Sequence, residues 1–214
     1  MKKLLSVIVA TVAAAGIGHT MAASSVDLSV KGSITPSACT PMLGSGGVVD
    51  HGKIGLKDLD FYRPTALPVA MLQLSVDCTA STLIAIKSRD NRAGSSGEGG
   101  PGQPNFGLGL ANGTTKIGWY LLKMANAQAD SAVRSLVESS DGKKWSDACQ
   151  PDLVWQVNGM RAISSGVGGD PSPMAVQNMT VDIQVETTIV RRQDLPAREE
   201  TPIDGSATLD IVYL

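Results

Sequence analysis

The chain has 214 residues, 43% of them hydrophobic and only 4% aromatic, with 18 basic against 20 acidic side chains and a formal net charge of −2. The charges are interspersed without a basic block, which argues against nucleic acid or anionic lipid as a partner. Gly, Ser, Thr and Val recur throughout and helical periodicity is scarce, a composition suited to an all-β chain with many turns.

Residues 1–22 read as a signal peptide. Lys2 and Lys3 precede an apolar, small-residue run from Leu4 to Ile17, and Thr20-Met21-Ala22 supplies a small residue for cleavage. The run is short for a membrane span. The expectation is export through the inner membrane, with residues 23–214 forming one domain. In an exported chain a disulfide is permissible. Cys39, Cys78 and Cys149 allow three pairings with one thiol left over, and cysteine arithmetic does not choose among them.

Val26, Leu28, Val30 and Ile34 alternate with polar residues, with Gly32 on the same face, so residues 26–34 predict a half-buried strand ending at Pro36. Residues 40–66 look irregular, with a short edge strand at 48–54 and a connecting loop from Leu56. Leu72, Leu74, Val76 and Cys78 alternate in a second strand, and residues 82–88 predict its neighbour after a short turn. Residues 93–105 are a Gly- and Ser-rich loop. Residues 106–110 and 115–124 predict two strands joined at Asn112-Gly113. Residues 125–132 predict a short helix, Asp141-Gly142 a turn and residues 153–157 a strand. After a second open loop at 164–173, residues 174–190 are the longest β-like run, with Val181, Ile183, Val185, Thr187 and Ile189 on one face. A charged connection leads to the last ten residues. There Ala207, Leu209, Ile211 and Tyr213 alternate with Thr208, Asp210 and Val212 as far as Leu214, and a terminal strand of this kind needs a cover. Eight or so short strands at turn-marked spacing predict a β-sandwich.

Little in the chain suggests catalysis or metal binding. After the signal peptide the one histidine is His51, in the turn-like Asp50-His51-Gly52, and no Gly-x-Ser-x-Gly elbow is present. It reads as a surface histidine. The cysteines lack the spacing of a zinc site. The expectation is therefore a protein that is not an enzyme and needs neither metal nor cofactor. Trp119, Trp145 and Trp155 read first as core or rim residues; exposed, they would be stacking platforms for a host or surface glycan.

Three features together resemble the pilin subunits of bacterial chaperone–usher fimbriae, in particular a divergent pilin-like group encoded beside fimbrial chaperones and ushers. Residues 28–34 with Cys39 look like the pilin first strand and its following cysteine. Val76-Asp77-Cys78 looks like the end of the strand carrying its disulfide partner. Residues 207–214, with the penultimate Tyr213, are similar to the pilin C-terminal strand.

The resemblance implies an incomplete immunoglobulin-like sandwich with Greek-key connections, lacking one strand. Its first and last strands, here carrying Leu28, Val30, Ile34, Ala207, Leu209, Ile211, Tyr213 and Leu214, flank an open groove. A periplasmic chaperone fills that groove first, holding the terminal carboxylate with basic groups. After delivery to the outer-membrane usher, another fimbrial subunit fills it by β-strand addition. The resemblance also pairs Cys39 with Cys78; Cys149 is left over, read as a buried, inert thiol with intermolecular pairing as the alternative. The chain departs from the family in having Thr201 where a glycine is usual; Gly205 stands in for it. With a first strand at Leu28, only Ala23 to Asp27 precede it, at most about 17 Å of chain. That length implies a subunit that receives a strand without giving one, at a fibre end. The alternative expectation is a self-complete exported sandwich that binds glycans through its tryptophans.

Overall fold

The computed structural model describes residues 28–31, 38–100, 102–148, 150, 152–166, 171–196 and 200–214. All its strands lie in the unit Pro36–Leu214, while residues 28–31 belong to the separate unit Met1–Thr35. In chain order the strands are β1 (Cys39–Leu43), β2 (Thr65–Ala66), β3 (Ala70–Asp90), β4 (Phe106–Gly107), β5 (Leu110–Ala111), β6 (Thr115–Lys116) and β7 (Gly118–Ala129). They continue as β8 (Ala132–Val133), β9 (Ser135–Ser139), β10 (Ser146–Asp147), β11 (Met160–Ser164), β12 (Ala175–Ile189) and β13 (Ala207–Tyr213). The fold is an all-β sandwich of antiparallel strands.

The sandwich is organised by β3, a single strand of 21 residues. Its first half, residues 70–78, pairs with β1 on one edge and β12 on the other. Its second half, residues 84–90, pairs with β13 and β11. Beyond β12 the first sheet continues through β7 to β4, and beyond β11 the second continues through β9 to β10. The two strands expected at 72–78 and 82–88 are thus one. The polar stretch Thr79-Ala80-Ser81-Thr82 resembles a turn in composition, but it carries the strand from one sheet into the other. There β12 shifts register between Val176 and Asn178, and the shared sheet curls.

The core lies between the two layers. Leu74 and Val76 from the first half of β3 meet Ile84 and Ile86 from the second, and Val181, Ile183, Leu122, Met124 and Trp155 close the cluster. Phe106 stacks on Tyr120 with ring centroids 5.1 Å apart. A smaller cluster of Ala85, Val137, Met160 and Ala162, packed by Trp145 and Val212, uses the alternate residues of the second sheet and so lies on its outer face.

Residues 125–132 are not helical. β7 runs through to Ala129, then turns over Asp130 and Ser131, whose φ angles of +50° and +64° are those of a tight two-residue hairpin. Ala127 and Ala129 are buried at period two, and Ala129 pairs with the bulkier Met179, so small size counts for more here than the helix propensity of alanine. β1 arises within the stretch read as irregular, β9 and β11 in stretches that carried no strand expectation, and residues 48–54 form no strand. Of residues 153–157 only Val154 makes a bridge, to Lys123.

Inside the second sheet Arg161 is fully buried. Its Nη2 donates to Glu138 Oε2 at 3.2 Å and to the Leu153 carbonyl at 2.9 Å, and the guanidinium lies 5.9 Å from the Trp155 ring centroid. Burial pushes its pKa below the ordinary arginine value, and Glu138 opposes that shift.

Candidate functional site

Entry into β13 is clamped. The Asp204 backbone N–H donates to the Leu108 carbonyl at 3.0 Å, while Arg92 donates to both carboxylate oxygens of Asp204, Nε at 3.0 Å and Nη2 at 2.8 Å. Gly205 follows, where a Cβ would stand 2.9 Å from Leu108 Cδ2 and 3.0 Å from the Tyr120 ring, so the close passage suits glycine. β13 then pairs with β3 from Ala207 opposite Asp90 to Tyr213 opposite Ile84. Among the described residues its other edge has no strand partner. Ala207, Leu209 and Ile211 face the core yet remain only partly buried.

Across from that edge stand Leu43 at the end of β1, the 3₁₀ turn Gly44–Gly47 and the extended segment after it. Between the two walls is a cavity of about 250 Å³, floored by Leu72, Leu122, Ile183 and Val185. A second cavity, of about 660 Å³, has Ile117 and Ile189 at its base and Ile54, Leu59 and Leu195 at its sides. Val49, His51 and Ile203 line both, so the two form one trough running along β12 from Ile183 to Ile189, about 20 Å at strand rise. Tyr120 also lines it, and burial, aided by the Asp90 charge, pushes its phenol above the ordinary range and keeps it neutral. Lys53 and Glu200 pair at 3.3 Å beside the second cavity, but both are largely exposed and the pair contributes little.

Polar and charged side chains, among them Asp50, Lys53, Glu200, Thr201 and Ser206, stand on the walls, while the floor given by β12 carries one polar side chain, Thr187. His51 Nε2 and Thr187 Oγ1 are hydrogen-bonded at 3.0 Å. A hydroxyl beside an imidazole is also the start of a nucleophile–base pair. Here the hydroxyl belongs to a residue only 3% exposed, and among the described residues the imidazole has no third group to orient it.

The structure brings together only part of the residue set read from sequence. Ala207, Leu209 and Ile211 stand on the trough side of β13. Tyr213 is half-exposed and its hydroxyl accepts the Cys39 backbone N–H at 3.0 Å, while the Leu214 N–H donates to the Leu83 carbonyl at 3.1 Å. Cys39 and Cys78 are directly opposed across β1 and β3 and form a disulfide. Leu28 and Val30 lie in no strand and are each 89% exposed; the strand that pairs with β3 on this side is β1, Cys39–Leu43. Ile34 and Cys149 lie outside the described residues.

The tryptophans take the core or rim places read for them first, and the stacking alternative falls away. Trp155 is fully buried in the main core and donates Nε1–H to the Gly159 carbonyl at 3.0 Å; Trp119 is 8% exposed. Neither ring face is open to a sugar. Trp145 is half-buried and packs on the outer cluster. All three therefore fill space in the sandwich.

Sequence reading missed the far wall: Leu43, Val49, Ile54 and Ile203, together with the inward position of His51. The usable signal was the unusual run of apolar residues within the irregular 40–66 stretch, which lacks strand periodicity but is too apolar for a free loop.

Residues 28–103 match a family model described as "Protein of unknown function (DUF1120)". Along most of its length the chain is similar to two proteins of Escherichia coli (strain K12). It is 28% identical to "Uncharacterized protein YhcF" over 224 residues, covering 90% of this chain and 92% of that protein. It is 28% identical to "Protein GltF" over 235 residues, covering 91% of each. The matched segment of the family model contains β1, the disulfide, most of one trough wall and all of β3.

Proposed function

We propose that this protein is a structural or adhesive subunit of a chaperone–usher fimbria whose sandwich is completed by a strand from another chain. The observation that carries this is the open edge of β13 beside a trough with a largely apolar floor. Such an edge is an aggregation hazard if left bare. A strand laid along it satisfies the backbone groups of β13 while its alternate side chains fill the trough. In this reading the signal peptide, residues 1–22, exports the chain. A periplasmic chaperone occupies the trough, the usher passes the subunit through the outer membrane, and a neighbouring subunit replaces the chaperone at the cell surface.

The position of β1 changes the expected place in the fibre. The reading that this chain receives a strand but cannot give one rested on a first strand at Leu28. With β1 beginning at Cys39 and cleavage after Ala22, residues 23–38 precede the sandwich, roughly 50 Å of extended chain. Val26, Leu28, Val30 and Ile34 alternate within them, so the chain carries both a trough and a segment able to fill one, and an internal position in the fibre is open to it.

Co-expression with a fimbrial chaperone tests the proposal. A stable one-to-one complex is expected, with loss of that complex on deleting residues 209–214. A protein that stays soluble and monomeric without any chaperone, and is unchanged by the deletion, would count decisively against it.

A further inference from the structure

The trough floor is apolar at every core-facing position of β12 but one. Val181, Ile183, Val185, Thr187 and Ile189 are each no more than 8% exposed, and Thr187 alone is polar. Its hydroxyl is held by His51, which comes from the opposite wall and lines both cavities. His51 is half-buried and, among the described residues, its Nδ1 has no hydrogen-bond partner, so solvent serves it while the trough is open. A strand laid over the trough removes that solvent. An apolar side chain placed there leaves the ring nitrogen, and the unused hydrogen-bonding capacity of the threonine, unpaired in a dry site, which is unfavourable. A hydroxyl side chain avoids this whichever nitrogen carries the proton, since it donates to a bare nitrogen and accepts from a protonated one.

We propose that the strand accepted by this trough carries serine or threonine at the inward position facing His51 and Thr187, and that this pair sets which strand binds and in what register. The inference rests on the strand-accepting reading above. A shift of two residues would put an apolar side chain on the polar pair and the hydroxyl on an apolar part of the floor, so one contact penalises every wrong register.

The test uses a synthetic peptide of residues 23–36 and the full-length protein. Valine or threonine is placed in turn at each inward position, 26, 28, 30, 32 and 34, and affinities are compared. At one position threonine should bind about three- to tenfold tighter than valine, the range of one net hydrogen bond; at the others valine should win. In protein carrying His51→Leu and Thr187→Val the preference at that one position should reverse, with the rest unchanged. Thr187→Val alone, nearly isosteric, serves if the double variant does not fold. Binding in which valine wins everywhere, or in which the threonine preference survives the substitutions, overturns this inference and leaves the trough reading standing. Failure of every peptide to bind overturns this inference, and if the chaperone complex also fails to form, the strand-accepting reading falls with it.

Discussion

The backbone N–H of Cys39 donates to the hydroxyl of Tyr213 at 3.0 Å, joining the first residue of β1 to the last residue of β13. Cys39 is also bonded to Cys78, while Tyr213 is paired opposite Ile84. The two trough walls are therefore tied together at one end, by a bond that bridges the two halves of β3, and remain apart along the rest of their length.

Removing that tie should loosen the trough more than the fold. Tyr213→Phe deletes the acceptor at a half-exposed site, and a loss of about 0.5–1 kcal/mol is expected in denaturant titration. Replacing Cys39 and Cys78 by serine should cost more, about 3–4 kcal/mol, because the disulfide closes a separation of 39 residues.

Val49 offers a way to block the trough while sparing the sheets. It lines both cavities from a segment that belongs to no strand. Val49→Asp should lower affinity for an inserted strand at least tenfold, since the charge would be covered without a partner. Thermal stability should fall by only about 1 kcal/mol, because no strand ladder is touched. Chaperone capture and a melting curve on the same sample separate the two effects.

Arg161 and Glu138 should respond unequally. Glu138 keeps 27% of its side chain exposed, whereas the Arg161 side chain has none. Glu138→Ala strands a buried cation and is expected to cost about 2–4 kcal/mol. Arg161→Met leaves a carboxylate that can hydrate, and fills the space beside Trp155 with an apolar side chain, so it should cost clearly less. Equilibrium unfolding of both variants checks the order.

Acid should weaken the β9–β10 turn before the core. The Asp141 carboxylate accepts the backbone N–H groups of Lys143 and Lys144, which pull its pKa from 3.8 down to about 2. A carboxyl depressed in the folded state is protonated first in the unfolded chain. Its contribution is thus complete above about pH 4 and is lost as pH falls towards 2. An NMR titration of Asp141 should show a midpoint near 2, and Asp141→Ala should flatten the fall in stability over that window. An ordinary midpoint near 3.8 would mean that the turn does not hold the carboxylate in solution.

Period-two patterning alone made β12 and β13 legible, because each turns one apolar face to the core, buried in β12 and partly buried in β13, and the pattern is written into every second residue. The same logic failed where burial depends on distant partners. Residues 79–82 carry no pattern of their own and become strand only because β3 must cross between sheets. Ala129 is small where it stands opposite Met179. Leu28 and Val30 alternate as a strand should, yet lie exposed while Cys39–Leu43 takes the place beside β3. By itself, then, the sequence determined that this protein is all-β, that it ends in a strand with one apolar face, and that a second alternating segment lies near its start. Only the tertiary structure decided which apolar faces meet. Alternation states that a face seeks cover, but the identity of the cover depends on contacts between residues far apart in the chain. His51 shows this most plainly: in the sequence it is a lone histidine in a polar turn, and in the fold it is the polar contact at the middle of the trough.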